Sequence, residues 1–362
     1  MNDIIFSKNK GEWSEFYTFI KLLADKRLDA ANEDLEKISE VFFPILKIIR
    51  EEPSGLTEYE FDNDKVKIIR TGEEIILVDG SDAKLKAVKI LKMIKDSDTR
   101  VLMTPEVAEL MTRFHVTRLS AGNGKKEDIT LKIHDISTGS EPTIGFSIKS
   151  MLGAASTLLN ASSATNFIYK VDGLTKDDVF KINAIDSKSK IRDRFFAIFA
   201  TGGTISFEGV ESEIFKRNLR RIDTVLPEVV SQLLLAYFQG KGKTLVNLVN
   251  NVGDKETDIL SFDLTRSDYE FKMKNFLYDV ALGMIPGRPW DGNIKAHGGY
   301  IIVREDGEVV CYHVYNADEF RKYLFKNTRM ETASTSRHRF GSLYQRDGST
   351  YIKLNLQIRF IK

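Results

Sequence analysis

The chain has 362 residues, 42% hydrophobic and 29% charged, with a formal net charge of +1. That length suits two domains, and the composition supports sizeable cores and excludes a disordered chain. No apolar run approaches the ~20 residues that span a bilayer, no signal-peptide pattern opens the chain, and the one cysteine, Cys311, excludes an intrachain disulfide and a cysteine zinc cluster. The expectation is a soluble, cytoplasmic protein with no membrane partner.

Residues 10–25 carry Trp13, Phe16, Tyr17, Phe19, Ile20, Leu22 and Leu23 at helical spacing. Glu12 and Glu15 share a face near the start of that helix, where acids usually just complement the helix dipole. A second helix is expected over 31–50, with Pro44 kinking or breaking it. Short strands follow at 59–61, 66–70 and 74–78. A lysine-studded amphipathic helix covers 84–94, and Thr104-Pro105 starts another. Residues 121–126 read as a loop.

Two strands come next, 129–137 and 144–151. The turn Thr138-Gly139-Ser140-Glu141-Pro142-Thr143 joins them. Residues 152–161 are helical in type, and 166–171 form a strand by composition. Beyond Asp172-Gly173 the chain turns mostly helical: 176–182, 188–199, 211–240 with a break at Pro227, 244–252 and 267–283. Strands at 300–303 and 309–315, a helix at 317–327, and strands near 330–335, 342–346 and 350–360 close it. The expected domains are 1–173, 174–298 and 299–362. From residue 317 onward ten Lys/Arg face four acids, so that tail is +6 and the remainder −5. A basic segment on a neutral protein suits a polyanion bound at one place; it equally describes an ordinary solvated surface.

The pair that carries chemistry is Asp135 on the first strand of the hairpin and Lys149 on the second. Ser147 and Lys149 alternate with Phe146 and Ile148, so they share a face, and a lysine there needs a partner. Asp135 and Lys149 form either a cross-strand ion pair or the core of a hydrolytic site. Phosphodiester hydrolysis asks for a metal on the phosphate, carboxylates to hold it, a placed water and a cation against the developing charge.

The pattern Asp135…Ser147-Ile148-Lys149, followed by helix and strand, resembles the PD-(D/E)xK nuclease core. It departs from that core at Ser147, where an acid is expected. The resemblance implies that a second carboxylate comes from elsewhere: Glu12, with Glu15 as its substitute, or less well Glu141 in the turn. Gly11-Glu12-Trp13-Ser14-Glu15, the run from Gly145 to Gly153, Ser156 to Ala161 with Thr165 to Tyr169, Ser334 to Gly341, and the final Lys353 to Phe360 together resemble the HpaII family of type II restriction endonucleases.

That resemblance implies an α/β fold, a restriction-endonuclease-like mixed sheet flanked by helices, with a C-terminal helical and α+β DNA-binding region. It implies Mg²⁺-dependent cleavage of both DNA strands at a short palindrome, CCGG in the family's prototype, leaving 5′-phosphate ends. Asp135 and Glu12 would hold the metal. Lys149 would orient water or stabilise charge. It further implies a homodimer and a partner DNA methyltransferase. Arg337 and Arg339, alternating with His338 in a strand, suit guanine readout; Ser334, Thr335 and Ser336 suit phosphate. Asn160, Ser162, Thr165 and Asn166 are further DNA contacts or, equally, caps and turn formers. The competing readings are an inactive DNA-binding protein and a structure-specific repair nuclease.

Overall fold

The computed structural model describes residues 7–70, 76–98, 100–120, 127–253, 264–294 and 297–362. The loop expected at 121–126 lies outside the described residues. The chain is a mixed α/β protein. It divides into two compact units: residues 1–156, 294–320 and 362 form the first, residues 157–293 and 321–361 the second. No described helix is long and apolar enough to cross a membrane.

The first unit is built on helix α1, Lys10–Asp25, as its periodicity predicts. Asn9 and Glu12 close a reciprocal cap at its start. Trp13, Phe16, Phe19, Ile20, Leu22 and Leu23 are all buried. Trp13 Nε1 donates to the Val101 carbonyl at 3.1 Å, and the Phe19 ring meets Tyr59 edge-on at 4.7 Å. Each such side chain contributes roughly 1.5–3 kcal/mol of hydrophobic burial.

The face under α1 belongs to a nine-stranded sheet. Its spatial order is Arg27–Ala31, Val309–His313, Gly299–Val303, Thr143–Ser150, Ile129–Ile133, Lys37–Glu52, Gly55–Asp62, Lys65–Arg70 and Ile76–Asp79. Arg27–Ala31 also pairs with the first half of Lys37–Glu52, so the first six strands close on themselves. Thr143–Ser150 thus has a parallel neighbour in Gly299–Val303 and an antiparallel one in Ile129–Ile133.

Three expectations change here. The helix expected at 31–50 is the long strand Lys37–Glu52. Pro44 forbids a helix interior, and Ile38, Val41, Ile45, Ile48 and Ile49 favour the pleated state. Residues 152–161 hold no helix; Thr157–Leu159 is a strand paired with Ile358–Phe360. The hairpin 299–313, expected in the C-terminal region, joins the sheet of the first unit. Ile301 and Val303 face its core beside Ile148. Gly299 makes that entry possible: at φ +94° it passes the Tyr312 carbonyl where a Cβ would lie 2.0 Å away.

The second unit has a four-stranded sheet in the order Thr204–Val210, Asn166–Asp172, Ser349–Asn355, Leu343–Arg346. Asn166–Asp172 therefore leaves the expected 1–173 domain, and Thr204–Val210 is a strand the sequence reading missed. The expected helical run breaks beside Pro227: Glu213–Ile222 ends, and Leu226–Phe238 starts with Pro227 in its first turn and buries Val229, Val230, Leu233 and Leu234. Helix Arg266–Leu282 buries Met273, Phe276 and Leu277.

Candidate active site

The register of the hairpin decides which carboxylate meets Lys149. Ile129 pairs with Phe146, and Lys132 with Thr143. The Asp128 amide still donates to the Phe146 carbonyl at 2.7 Å. Asp128 therefore stands opposite Ser147. Its Oδ2 accepts from the Ile148 amide at 2.6 Å and from Ser147 Oγ at 3.1 Å. Lys149 Nζ donates to the same Ser147 Oγ at 3.0 Å and lies 5.1 Å from the centre of the Tyr300 ring. A carboxylate, a hydroxyl and an ammonium form one continuous chain. Enclosure lowers the pKa of Lys149, while Asp128 and Glu15 oppose that shift.

Asp135 is not part of this chain, which corrects the pairing expected from sequence. It bridges to Ser140 at the closed end of the hairpin. Seven residues separate it from Asp128, roughly 23 Å at the rise of a strand, and it belongs to the opposite face from Lys149. Its Oδ1 accepts from the Ser137 amide at 2.9 Å and Ser137 Oγ at 2.6 Å, and its Oδ2 from Thr138 Oγ1 at 2.9 Å. These bonds, Ser137 first, hold its pKa down. Asp135 is a buried turn-former.

Its charge acts on His313, which is 1% exposed among Phe43, Phe146 and Tyr315. His313 Nδ1 accepts from the Tyr315 amide at 3.1 Å, and Nε2 has no hydrogen bond among the described residues. Burial lowers its pKa to about 4, against Asp135, which raises it. Between the unfolded value near 6.5 and about 4, the unfolded chain binds a proton that the fold refuses. Stability therefore falls as pH falls through that window, by about 2 kcal/mol between pH 7 and pH 5. Denaturant unfolding at the two pH values should show this loss in the wild type. His313→Phe should remove it.

Among the described residues no three His, Cys, Asp or Glu converge as a metal cage. Mg²⁺ does not ask for one: it keeps several waters and takes one or two carboxylates plus substrate phosphate. An anionic oxygen beside a lysine fits that ion, and does not fit the three-ligand site of a catalytic zinc.

Residues 9–360 match the family described as HpaII restriction endonuclease. Over 358 residues the chain is 42% identical to the type II restriction enzyme HpaII of Haemophilus parainfluenzae, covering 98% of this chain and 99% of that one. The chain belongs to the HpaII restriction endonuclease family. It is a type II site-specific restriction endonuclease. No solved structure matches it.

In this HpaII-family enzyme the two acids of α1 have different surroundings. Glu12 Oε2 accepts from the amide and Nδ2 of Asn9, and Oε1 pairs with Lys8 Nζ at 3.0 Å. Its carboxylate closes the cap of α1. Glu12→Gln keeps an oxygen for the cap and loses only a partly exposed ion pair with Lys8, so it should cost about 0.5 kcal/mol in unfolding free energy and leave cleavage intact in a plasmid assay. Glu15 lines an open pocket with Lys10, Ile148, Ser150 and Gly153 and is felt by Lys149. Glu141 pairs with Lys132 at 2.9 Å on the surface of the hairpin.

The expected DNA-reading block folds differently. Thr335–His338 is one short helical turn capped by Ser334 Oγ, which accepts from the Arg337 amide. Arg339 follows in the left-handed region at φ 52°. Arg337 and Arg339 therefore do not share a strand face. Both are exposed, and Thr335, Ser336 and Arg339 line an open basic pocket with Lys190 and Lys353. The His338 carbonyl accepts from Asn166 Nδ2 at 3.0 Å.

Thr165 and Asn166 are buried, and their polar atoms are used internally. Asn166 Nδ2 also donates to Glu211 at 2.7 Å, and its Oδ1 accepts from Asn355 at 2.7 Å. Ser162 caps the turn Ser163–Thr165, and its carbonyl accepts from Asn355 Nδ2 at 2.7 Å. In the structure these polar groups, the backbone of Ser162 among them, serve a local network. Asn160 is exposed.

Proposed function

We propose that this enzyme hydrolyses both strands of the palindrome CCGG in an Mg²⁺-dependent reaction, with Asp128 and Lys149 as its catalytic pair. The observation that carries the reading is the continuous chain Asp128–Ser147–Lys149. It takes the place that the sequence pattern gave to Asp135 and Lys149. Asp128 would hold the cation, which supplies charge at the phosphate and a more acidic water. Ser147 holds both partners: it donates to Asp128 and accepts from Lys149, so a hydroxyl stands where relatives of the core carry an acid. Lys149 stabilises the charge that grows on the phosphate and directs the attacking water in line. Loss of the 3′ oxygen leaves a 5′-phosphate.

Glu15 supports the charged state of Lys149. The exposed Arg337 and Arg339, with Ser334, Thr335, Ser336 and His338, form the proposed DNA-contacting segment, and Asn160 is a further candidate. A palindrome implies a two-fold homodimer. Such an enzyme works beside a DNA methyltransferase that protects host sites, in the cytoplasm where both meet DNA.

Incubation with a plasmid of known sequence, with Mg²⁺ and with EDTA, followed by sequencing of the ends, tests this. Discrete Mg²⁺-dependent cuts at CCGG are expected. Cuts at other fixed sites remove the assigned sequence. A gel shift without cleavage in Mg²⁺ points instead to an inactive binder, and cleavage confined to mismatched duplexes to a repair nuclease. Arg337→Ala should weaken specific binding by about 1–3 kcal/mol if it reads a guanine. An unchanged preference for the site in a competition gel shift removes that role.

A further inference from the structure

Gly145 precedes Ser147 by two residues on the same strand face, about 7 Å away. A Cβ at Gly145 would lie 2.8 Å from both Cβ and Oε2 of Glu127 and 3.0 Å from its Cδ. Glu127 thus lies along the bare backbone of Gly145, root and carboxylate alike. Asp128, the next residue, holds the Ile148 amide and Ser147 Oγ. The paired ladder with the neighbouring strand starts at Ile129, so both acids stand just outside it and both reach over the lysine strand. Along that strand the order is Glu127 over Gly145, Asp128 over Ser147, then Lys149.

We propose that Glu127 is the second carboxylate of the active site and, with Asp128, holds the divalent cation. The proposal rests on the reading of Asp128 and Lys149 as the catalytic pair. It supplies the acid that Ser147 lacks, from the neighbouring strand rather than from α1. Two adjacent carboxylates match a divalent charge and the one or two protein ligands that Mg²⁺ accepts. The acids of α1 are placed less well. Glu12 is bound by Asn9 and Lys8. Glu15 shares its pocket with Ile148 and Ser150, the positions that alternate with Ser147 and Lys149. Glycine at 145 then has a purpose: any side chain there displaces Glu127.

The test titrates Mn²⁺ alone into the full-length protein and follows the free ion by electron paramagnetic resonance. Cleavage of a CCGG plasmid is the second readout. Glu127→Gln should weaken Mn²⁺ binding at least tenfold. Gly145→Ala should do the same although it removes no charge, and thermal melting checks that it folds; Glu127→Gln decides if it does not. Glu15→Gln should bind Mn²⁺ within threefold of the wild type. The assignment is overturned if Glu127→Gln binds Mn²⁺ and cuts like the wild type while Asp128→Asn loses both; the catalytic pair then stands without Glu127. If Asp128→Asn also binds and cuts normally, the catalytic pair itself is wrong.

Discussion

Asp128→Asn is expected to cut CCGG plasmid at least about 100-fold more slowly than the wild type while still shifting a CCGG duplex in a gel. Changes to groups that merely support a metal ligand already cost roughly 10–100-fold, and loss of the carboxylate itself should exceed that. The fold should survive, because an asparagine oxygen can still accept from the Ile148 amide that Asp128 now holds at 2.6 Å. Asp135→Asn should behave in the opposite way. It weakens the turn whose bonds come from Ser137 and Thr138, at roughly 1.5–3 kcal/mol for hydrogen bonds to a charged group, and leaves cleavage by the folded protein near normal. Rates at low temperature with unfolding curves for both variants separate the two roles. Normal cutting by Asp128→Asn with none by Asp135→Asn would return the site to the residue first expected from sequence.

Lys149→Met should abolish detectable cleavage and raise the melting temperature. The strand keeps a lysine in an enclosed position where its pKa is lowered by the loss of water. Burial disfavours the charged form, so the fold bears the cost of enclosing the amine. A thioether of similar length removes that cost and packs beside the Tyr300 ring now 5.1 Å from Nζ. Relief of such functional strain is commonly worth about 0.5–2 kcal/mol, or a few degrees in a protein of this size. Lys149→Arg should not restore cleavage, since its planar fork cannot repeat the point contact to Ser147 Oγ. A melting temperature that falls in Lys149→Met would show that the lysine stabilises the sheet and would remove the argument that function maintains it.

The hairpin shows where sequence reasoning reached its limit. Ser147, Lys149 and their shared face follow from alternation. The partner carboxylate depends on where the chain turns. The expected turn spans residues 138–143, whereas Asp135 bridges to Ser140, so the real turn sits about three residues earlier. Antiparallel pairing doubles such an error, and every cross-strand partner moves by six. That shift takes Asp135 away from the lysine and brings Asp128 opposite Ser147. Thr138-Gly139 marked the turn in the sequence, with Gly139 at φ +68°. Centring the hairpin on that pair would have pointed to Asp128.

The sequence by itself determined the elements whose signal is local. Helix α1 follows from its apolar spacing and its cap, the lysine strand from its alternation, and family membership from ordered motifs along most of the chain. Tertiary structure decided what depends on partners far away in the chain. Gly299–Val303 lies beside the lysine strand although some 150 residues intervene. The run 37–52 is a strand because neighbours on both sides complete its hydrogen bonds. Glu12 and Asn166 were chosen as polar residues near promising motifs, but one serves a cap and the other a buried network. Composition reports that a side chain can bind; only the surrounding atoms decide whether its oxygens are already taken. Lys149 stood out as the proposed reactive cation from its strand alone. Its counter-charge was not, because cross-strand register is set by turn geometry and by the packing of the whole sheet.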